Sequence, residues 1–378
     1  MNAPDVLTEA SRSSMQSSRI CYIVTGNHNS YHGIGDIIYT LDTYLSGHFR
    51  TQVSESIVLG EINVVIDEFS TPSRVEALKQ AKQQAPHTRF ILMATEFITE
   101  ISLPGLKFGK TFNFFDPRDD ARHVVSLLAH RMRLKASPPY LYSRYRGFVD
   151  ALPFVDLILC AHRDVAATLK RLPANDAKLP GDPLTLYPQI DLDRLARDSR
   201  LHNREAGFVI TGTMTRFRAR MAETLDKTFK DAGIAGPVLQ HQRFEQSRTP
   251  ALEDGKLDLG YDEVDQRDRL SWHRAGLKNY IYNLNPPQRA NWAYSSPMRI
   301  LRAILFGQIP VVTRMFGDHD IEMTALVWDG TAATAKRMWH DATEGRSALV
   351  ERHLAAVAAY NIVARAKNAQ IDCALRDL

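Results

Sequence analysis

From residue 20 onward, short apolar runs rich in β-branched residues alternate with longer stretches whose apolar positions recur every three or four residues. ICYIVTG, INVVIDEF, RFILMAT and VDLILCAH predict strands, while DIIYTLDTYLSG, PSRVEALKQAKQQA, ARHVVSLLAHRMRL and RDVAATLKRL predict helices. The strand runs are nearly continuous in apolar residues, as parallel strands covered on both faces are. After the Pro/Gly-rich stretch LPANDAKLPGDPLTLYPQIDLDRL the alternation restarts. GFVITGTM precedes the helix-like TRFRARMAETLDKTFKDAG, and GPVLQH, a polar segment over 245–274, NYIYNL, SPMRILRAILFG, IPVVT and ALVWDG follow. Two successive α/β runs predict an α/β protein of two Rossmann-like domains facing a central cleft. The expected divisions are a disordered tail over 1–18, a first domain over 19–185, a second over 186–350 and a helical segment over 351–378. No tandem repeat of solenoid length interrupts this pattern.

Composition narrows the class. The chain has 378 residues, 44% of them hydrophobic, and a formal net charge of +4. That surplus is too diluted to announce a nucleic-acid partner, and none is expected. Cys21, Cys160 and Cys373 are far apart with no C-x-x-C spacing, which indicates neither a disulfide framework nor a zinc cluster. A cytoplasmic setting is the expectation, because residues 1–18 lack a signal core and no run has the length of a membrane span.

The loop GNHNSYHGIGD, residues 26–36, stands where the first strand hands over to the first helix. Gly26, Gly33 and Gly35 would let a ligand approach the backbone, and the helix N-terminus beyond favours anions. The loop lacks the Lys-Ser/Thr end of a P-loop and the third small residue of a dinucleotide fingerprint, so ATP and NAD chemistry lose ground. Asp36 has two open readings: a helix N-cap, or a general base at the carboxyl end of a strand. His28 and His32 divide in the same way between solvated loop residues and site residues. Glu96, in RFILMATEFITE, is a further candidate base or a capping carboxylate.

Three segments carry a resemblance. LYPQIDLDRL (186–195), GFVITGTMTRFRARMAETL (207–225) and YSSPMRILRAILFGQIPVVT (294–313) resemble, in order, the interdomain segment and donor domain of GT-B glycosyltransferases. HGIGDIIYTLDTYL is similar to the opening of the heptosyltransferases, which are inverting GT-B enzymes, although Asp42 stands where that family usually has proline. The resemblance implies transfer of a sugar from a nucleotide-sugar to an acceptor hydroxyl, in bacterial glycan or glycoconjugate synthesis, with the acceptor on the first domain and no metal cofactor. It places Asp36 as base, with His32 and Glu96 in reserve, and gives Gly33, Gly35 and His28 to the acceptor-side loop. Gly212, Thr213, Thr215, Arg216, Arg218, Ser295, Ser296 and Arg299 become the donor-binding set, with hydroxyls, backbone and guanidinium groups meeting a diphosphate. Ser295 and Arg302 stand where retaining relatives of glycogen synthase carry paired glutamates, which weakens a retaining mechanism.

Other readings remain open at this level. Arg216, Arg218 and Arg220 could form a solvated helix face, and Ser296-Pro297 a plain cap with proline at N1. Asp191-Leu192-Asp193 and Asp318-His319-Asp320 have the D-x-D spacing with which GT-A enzymes hold a metal. A noncatalytic GT-B-like binding or scaffold protein is a third reading. Residues 129–154 interleave Arg131, Arg133, Lys135, Arg144 and Arg146 with Tyr140, Tyr142, Tyr145 and Phe148. This stretch reads either as peripheral contact with an inner membrane face or acceptor, or as an amphipathic helix whose tyrosines enter the core.

Overall fold

The computed structural model describes residues 19–24, 35–67, 69, 71–103, 106–112, 117–172, 178–210, 216–234, 239–241, 252–253, 256–257, 280–287, 290, 296–317 and 319–378. The expected tail over 1–18 lies outside them. The first half runs β1 (Ile20–Val24), α1 (Gly35–Leu45), β2 (Arg50–Ser54), β3 (Ile62–Ile66), α2 (Pro72–Gln84), β4 (Arg89–Ala94), β5 (Phe97–Leu103), β6 (Leu106–Phe112), α3 (Pro117–Arg131), α4 (Tyr140–Ala151), β7 (Leu157–Cys160), α5 (Arg163–Lys170) and β8 (Leu184–Thr185). Six strands form one sheet in the order β2-β1-β3-β4-β7-β8, every pair parallel. All residues of β3 and β7 are buried, because helices cover both faces of the sheet. β5 and β6 pair separately as an antiparallel hairpin.

The second half runs α6 (Leu192–Ala196), α7 (Ser199–Asn203), β9 (Glu205–Ile210), α8 (Arg216–Asp231), β10 (Leu239–His241), β11 (Leu252–Glu253), β12 (Lys256–Leu257), β13 (Tyr280–Leu284), α9 (Pro297–Leu305), β14 (Ile309–Val312), β15 (Leu326–Val327), α10 (Ala332–Thr343) and α11 (Arg346–Arg376). A second parallel sheet has the order β10-β9-β13-β14-β15. The chain thus has two Rossmann-like parallel sheets. Gly307, at φ +63°, closes α9: its N–H donates to Ile304 O at 2.8 Å and that of Gln308 to Ala303 O at 2.9 Å. Among the described residues, no helix is long and apolar enough to cross a membrane.

The segment joining the sheets is fastened to the last helix. Asn368 of α11 accepts from Tyr187 N–H at 3.1 Å and donates to Tyr187 O at 2.8 Å; Asn361 does the same to Ile190, at 3.0 and 2.7 Å. Each amide imitates a strand partner, so the linker backbone is satisfied without a sheet. An apolar cluster continues from one face of the first sheet, through Leu186, Tyr187 and Ile190, into the second sheet and α11.

His353 of α11 is buried at 4% exposure. Burial depresses its pKa to about 4, offset in part by the Thr324 backbone. In the unfolded chain it regains an ordinary value near 6.5, so between these limits the unfolded state binds the extra proton and folding loses stability as pH falls. His353→Met should remove about 2 kcal/mol of the stability difference between pH 7 and pH 5, read by urea unfolding at both. An unchanged difference in the variant would contradict this assignment.

Candidate active-site cleft

Parallel sheets bind ligands outside the carboxyl ends of their strands, where successive connections leave in opposite directions. In the second sheet that point lies between β9 and β13, since the chain goes from β9 outward to β10 and then back across to β13 and β14. A cleft opens beside it, lined by Asn285, Pro286, Ser296, Arg299, Arg314 and Phe316 among others. Asn285 and Pro286 follow β13 directly, and Arg314 and Phe316 follow β14. Ser296 is the N-cap of α9, with Pro297 at the first helical position, yet its side chain makes no capping hydrogen bond. The hydroxyl is therefore not turned onto its own helix, and the positive end of α9 faces the cleft with half-buried Arg299 in its first turn. The Arg314 guanidinium lies 4.4 Å from the centre of the Phe316 ring.

Behind this wall, Arg218 of α8 is 1% exposed and donates through Nε to Pro286 O at 3.2 Å. Arg302, one turn after Arg299 on α9, is buried at 8%. Burial first, and then the Arg302 charge, lowers the Arg218 pKa to about 10, so Arg218 stays charged at neutral pH. Arg218 is accordingly neither a solvated surface residue nor a lining residue of the cleft: it braces the Pro286 backbone and adds positive potential from behind. Arg216, first residue of α8, is exposed. Gly212, Thr213, Thr215 and Ser295 lie outside the described residues.

In the first sheet the direction changes between β1 and β3. The loop leaving β1 holds Gly26, His28, His32 and Gly33, all outside the described residues. α1 begins at Gly35, which places Asp36 inside the first helical turn instead of before it. Buried Asp67 follows β3 directly, and its carboxylate accepts from Thr95 N–H at 2.9 Å, Thr95 Oγ1 at 2.6 Å, Glu96 N–H at 3.1 Å and Arg144 Nη2 at 3.2 Å. Arg144 also donates through Nε to Asp67 O at 3.1 Å and pairs with Glu96 Oε1 at 3.5 Å. The Glu96 charge is thereby committed to a guanidinium, which suits a structural junction better than proton abstraction.

The two carboxyl edges meet. Thr40 of α1 donates to Met298 Sδ of α9 at 3.6 Å, and Arg163, at the start of α5, donates to Gly317 O beyond β14. Between them His162, Tyr187 and His319 form a buried aromatic junction, with the Tyr187 and His319 rings 4.6 Å apart. His319 Nδ1 accepts from Ile321 N–H at 3.3 Å, which places its proton on Nε2 when the ring is neutral. Two parallel sheets thus meet near their carboxyl edges.

No protein-family model and no curated protein matches the chain. Among solved structures it is similar to an alpha-glucosyltransferase in complex with UDP and DNA, with 12% identity over 92% of this chain and 95% of that one and a TM-score of 0.47. It is also similar to the glycotransferase of kitacinnamycin (11% identity, 95% and 97% covered, TM-score 0.36) and the spinosyn forosaminyltransferase SpnP (11%, 93% and 96%, TM-score 0.34). A likeness at this level assigns neither residues nor substrate.

Asp191 caps α6, accepting from Arg194 N–H at 2.9 Å, and Asp320 pairs with Lys367 of α11, while Asp318 lies outside the described residues. The two separate sheets also depart from the single continuous domain of the GT-A reading.

Asn285, Pro286, Arg314, Phe316 and Asp67 escaped the sequence reading, and Arg144 was named there only as one of the basic residues of 129–154. The first five sit just after strand carboxyl ends, and Arg144 reaches one from a neighbouring helix. Position relative to INVVI, YIYNL and IPVV is the signal that could have found the first five.

Proposed function

We propose that the chain is a GT-B glycosyltransferase that moves a sugar from a nucleotide-sugar to an acceptor hydroxyl, with donor bound by the second sheet and acceptor by the first. The observation carrying this reading is the cleft at the carboxyl ends of β13 and β14. There a helix N-terminus, a serine hydroxyl not used as a cap, Arg299 and Arg314 converge, with two buried guanidinium groups behind. Such a site suits a diphosphate, whose negative charge grows as the glycosidic bond breaks. The apolar side chains of Pro286 and Phe316 offer a surface beside it against which a base or sugar ring would pack.

In the proposed mechanism Asp36 takes the proton of the acceptor hydroxyl, whose oxygen attacks the anomeric carbon as the nucleoside diphosphate departs towards Arg299 and the α9 N-terminus. Because the chain's own guanidinium groups meet the leaving group, no divalent metal is assigned a step. The acceptor class is a glycan, a lipid-linked sugar or another hydroxyl compound of bacterial glycoconjugate synthesis.

A thermal-shift screen of the purified chain against UDP, GDP, dTDP and CMP sugars, with and without EDTA, tests the reading. Stabilisation by one nucleotide class that survives EDTA is expected. Stabilisation that requires a metal would contradict metal-independent donor binding, and stabilisation without turnover on any acceptor would favour a binding protein.

A further inference from the structure

The stretch of interleaved basic and aromatic residues divides into two parts. Tyr145, Phe148 and Arg144 of α4 are buried, so that part belongs to the core. The part before it does not. Met132 and Leu134 are 64% and 71% exposed, and Val125 on α3 is 65% exposed. Arg131, Arg133 and Lys135 alternate with them and are exposed as well. Residues 121–149 contain no aspartate or glutamate, so the segment is cationic throughout.

The backbone holds this arrangement in place. α3 closes with Arg133 N–H donating to His130 O at 2.9 Å and Leu134 N–H to Ala129 O at 2.8 Å, the paired bonds of a Schellman turn. Such a turn usually places glycine at the left-handed position and packs the next apolar residue back onto the helix. Here Arg133 takes that position at φ 61°, the one non-glycine with positive φ among the described residues, and Leu134 points away from the helix. Lys135 Nζ donates to Ser126 Oγ at 2.9 Å and Lys135 O meets His130 Nδ1 at 3.0 Å, which fastens the turn beside Val125. Local strain and outward apolar side chains persist when they serve a surface.

We propose that the turn over residues 131–135, together with Val125, docks the protein on an anionic lipid surface. Met132, Leu134 and Val125 enter the boundary between headgroups and acyl chains, while Arg131, Arg133 and Lys135 meet lipid phosphates. The inference stands independently of the donor site.

Cosedimentation of the full chain with vesicles of phosphatidylcholine, alone or mixed with phosphatidylglycerol, tests it. Binding is expected only to the anionic vesicles and should weaken as salt rises. Met132→Ser/Leu134→Ser should weaken it by about tenfold or more. Arg133→Gly keeps the turn, because glycine favours this backbone, and should weaken binding through charge alone. Thermal unfolding of each variant confirms that it folds, and the glycine variant covers the case in which the double variant does not. Absent binding to anionic vesicles, equal binding to neutral ones, or unchanged binding by folded variants would overturn the proposal. So would sedimentation velocity showing that the patch drives self-association while vesicles are ignored.

Discussion

Replacing Asp36 by asparagine should lower glycosyl transfer by about 10²- to 10⁴-fold while leaving folding intact. Asparagine preserves the size of the side chain and its ability to accept from backbone N–H groups in the first turn of α1, but it cannot take a proton from an acceptor hydroxyl. A carboxylate serving only the helix end would cost at most about 1 kcal/mol on neutralisation and would leave turnover unchanged. Position argues for the larger effect: Asp36 follows β1 at the crossover of the first sheet, and α1 touches α9 through Thr40 and Met298. Donor affinity should be unaltered, because donor contacts are assigned to the other sheet. Full turnover in the variant would remove Asp36 from the chemistry.

Gly147→Ala should destabilise the protein by about 3 kcal/mol or more, although alanine is the better helix former. A Cβ built on Gly147 of α4 would stand 1.9 Å from Phe69 O and 2.8 Å from Phe69 Cβ. The struck atom is backbone, and its segment cannot retreat cheaply. Asp67, two residues earlier, is held by Thr95, Glu96 and Arg144, and Arg144 lies one turn before Gly147 on the same helix. Relief would therefore break a buried charged network, whose loss is costly because the groups left behind stay desolvated. Urea unfolding of the variant measures the effect. A neutral or stabilised variant, as helix propensity alone would give, would show that the close approach is absent.

The central strands were legible because burial on both faces leaves an almost unbroken apolar run, as in INVVI and LILC. β2 was not: RTQVS is a polar edge strand, half-exposed along most of its length, and its composition resembles a loop. The fastening of the linker by Asn361 and Asn368 was equally hidden, since nothing local distinguishes an amide that will meet backbone more than 170 residues away. Arg144 looked like its exposed basic neighbours until α4 carried it onto Asp67. Within the cleft, Ser296 and Arg299 were readable from a serine before a proline-led helix, whereas Arg218 was named for direct contact and instead braces Pro286. Periodicity indicates which face of a helix is apolar; it does not show which polar side chains the packing will enclose.

The most direct measurement is calorimetric titration of UDP, GDP, dTDP and CMP into the wild-type chain and into Arg299→Ala, in EDTA. One nucleotide should bind the wild type, and the substitution should weaken it by about tenfold or more, the worth of a charge-assisted contact to phosphate. Absence of binding by all four, or equal affinity in the two proteins, would contradict a donor site at the N-terminus of α9.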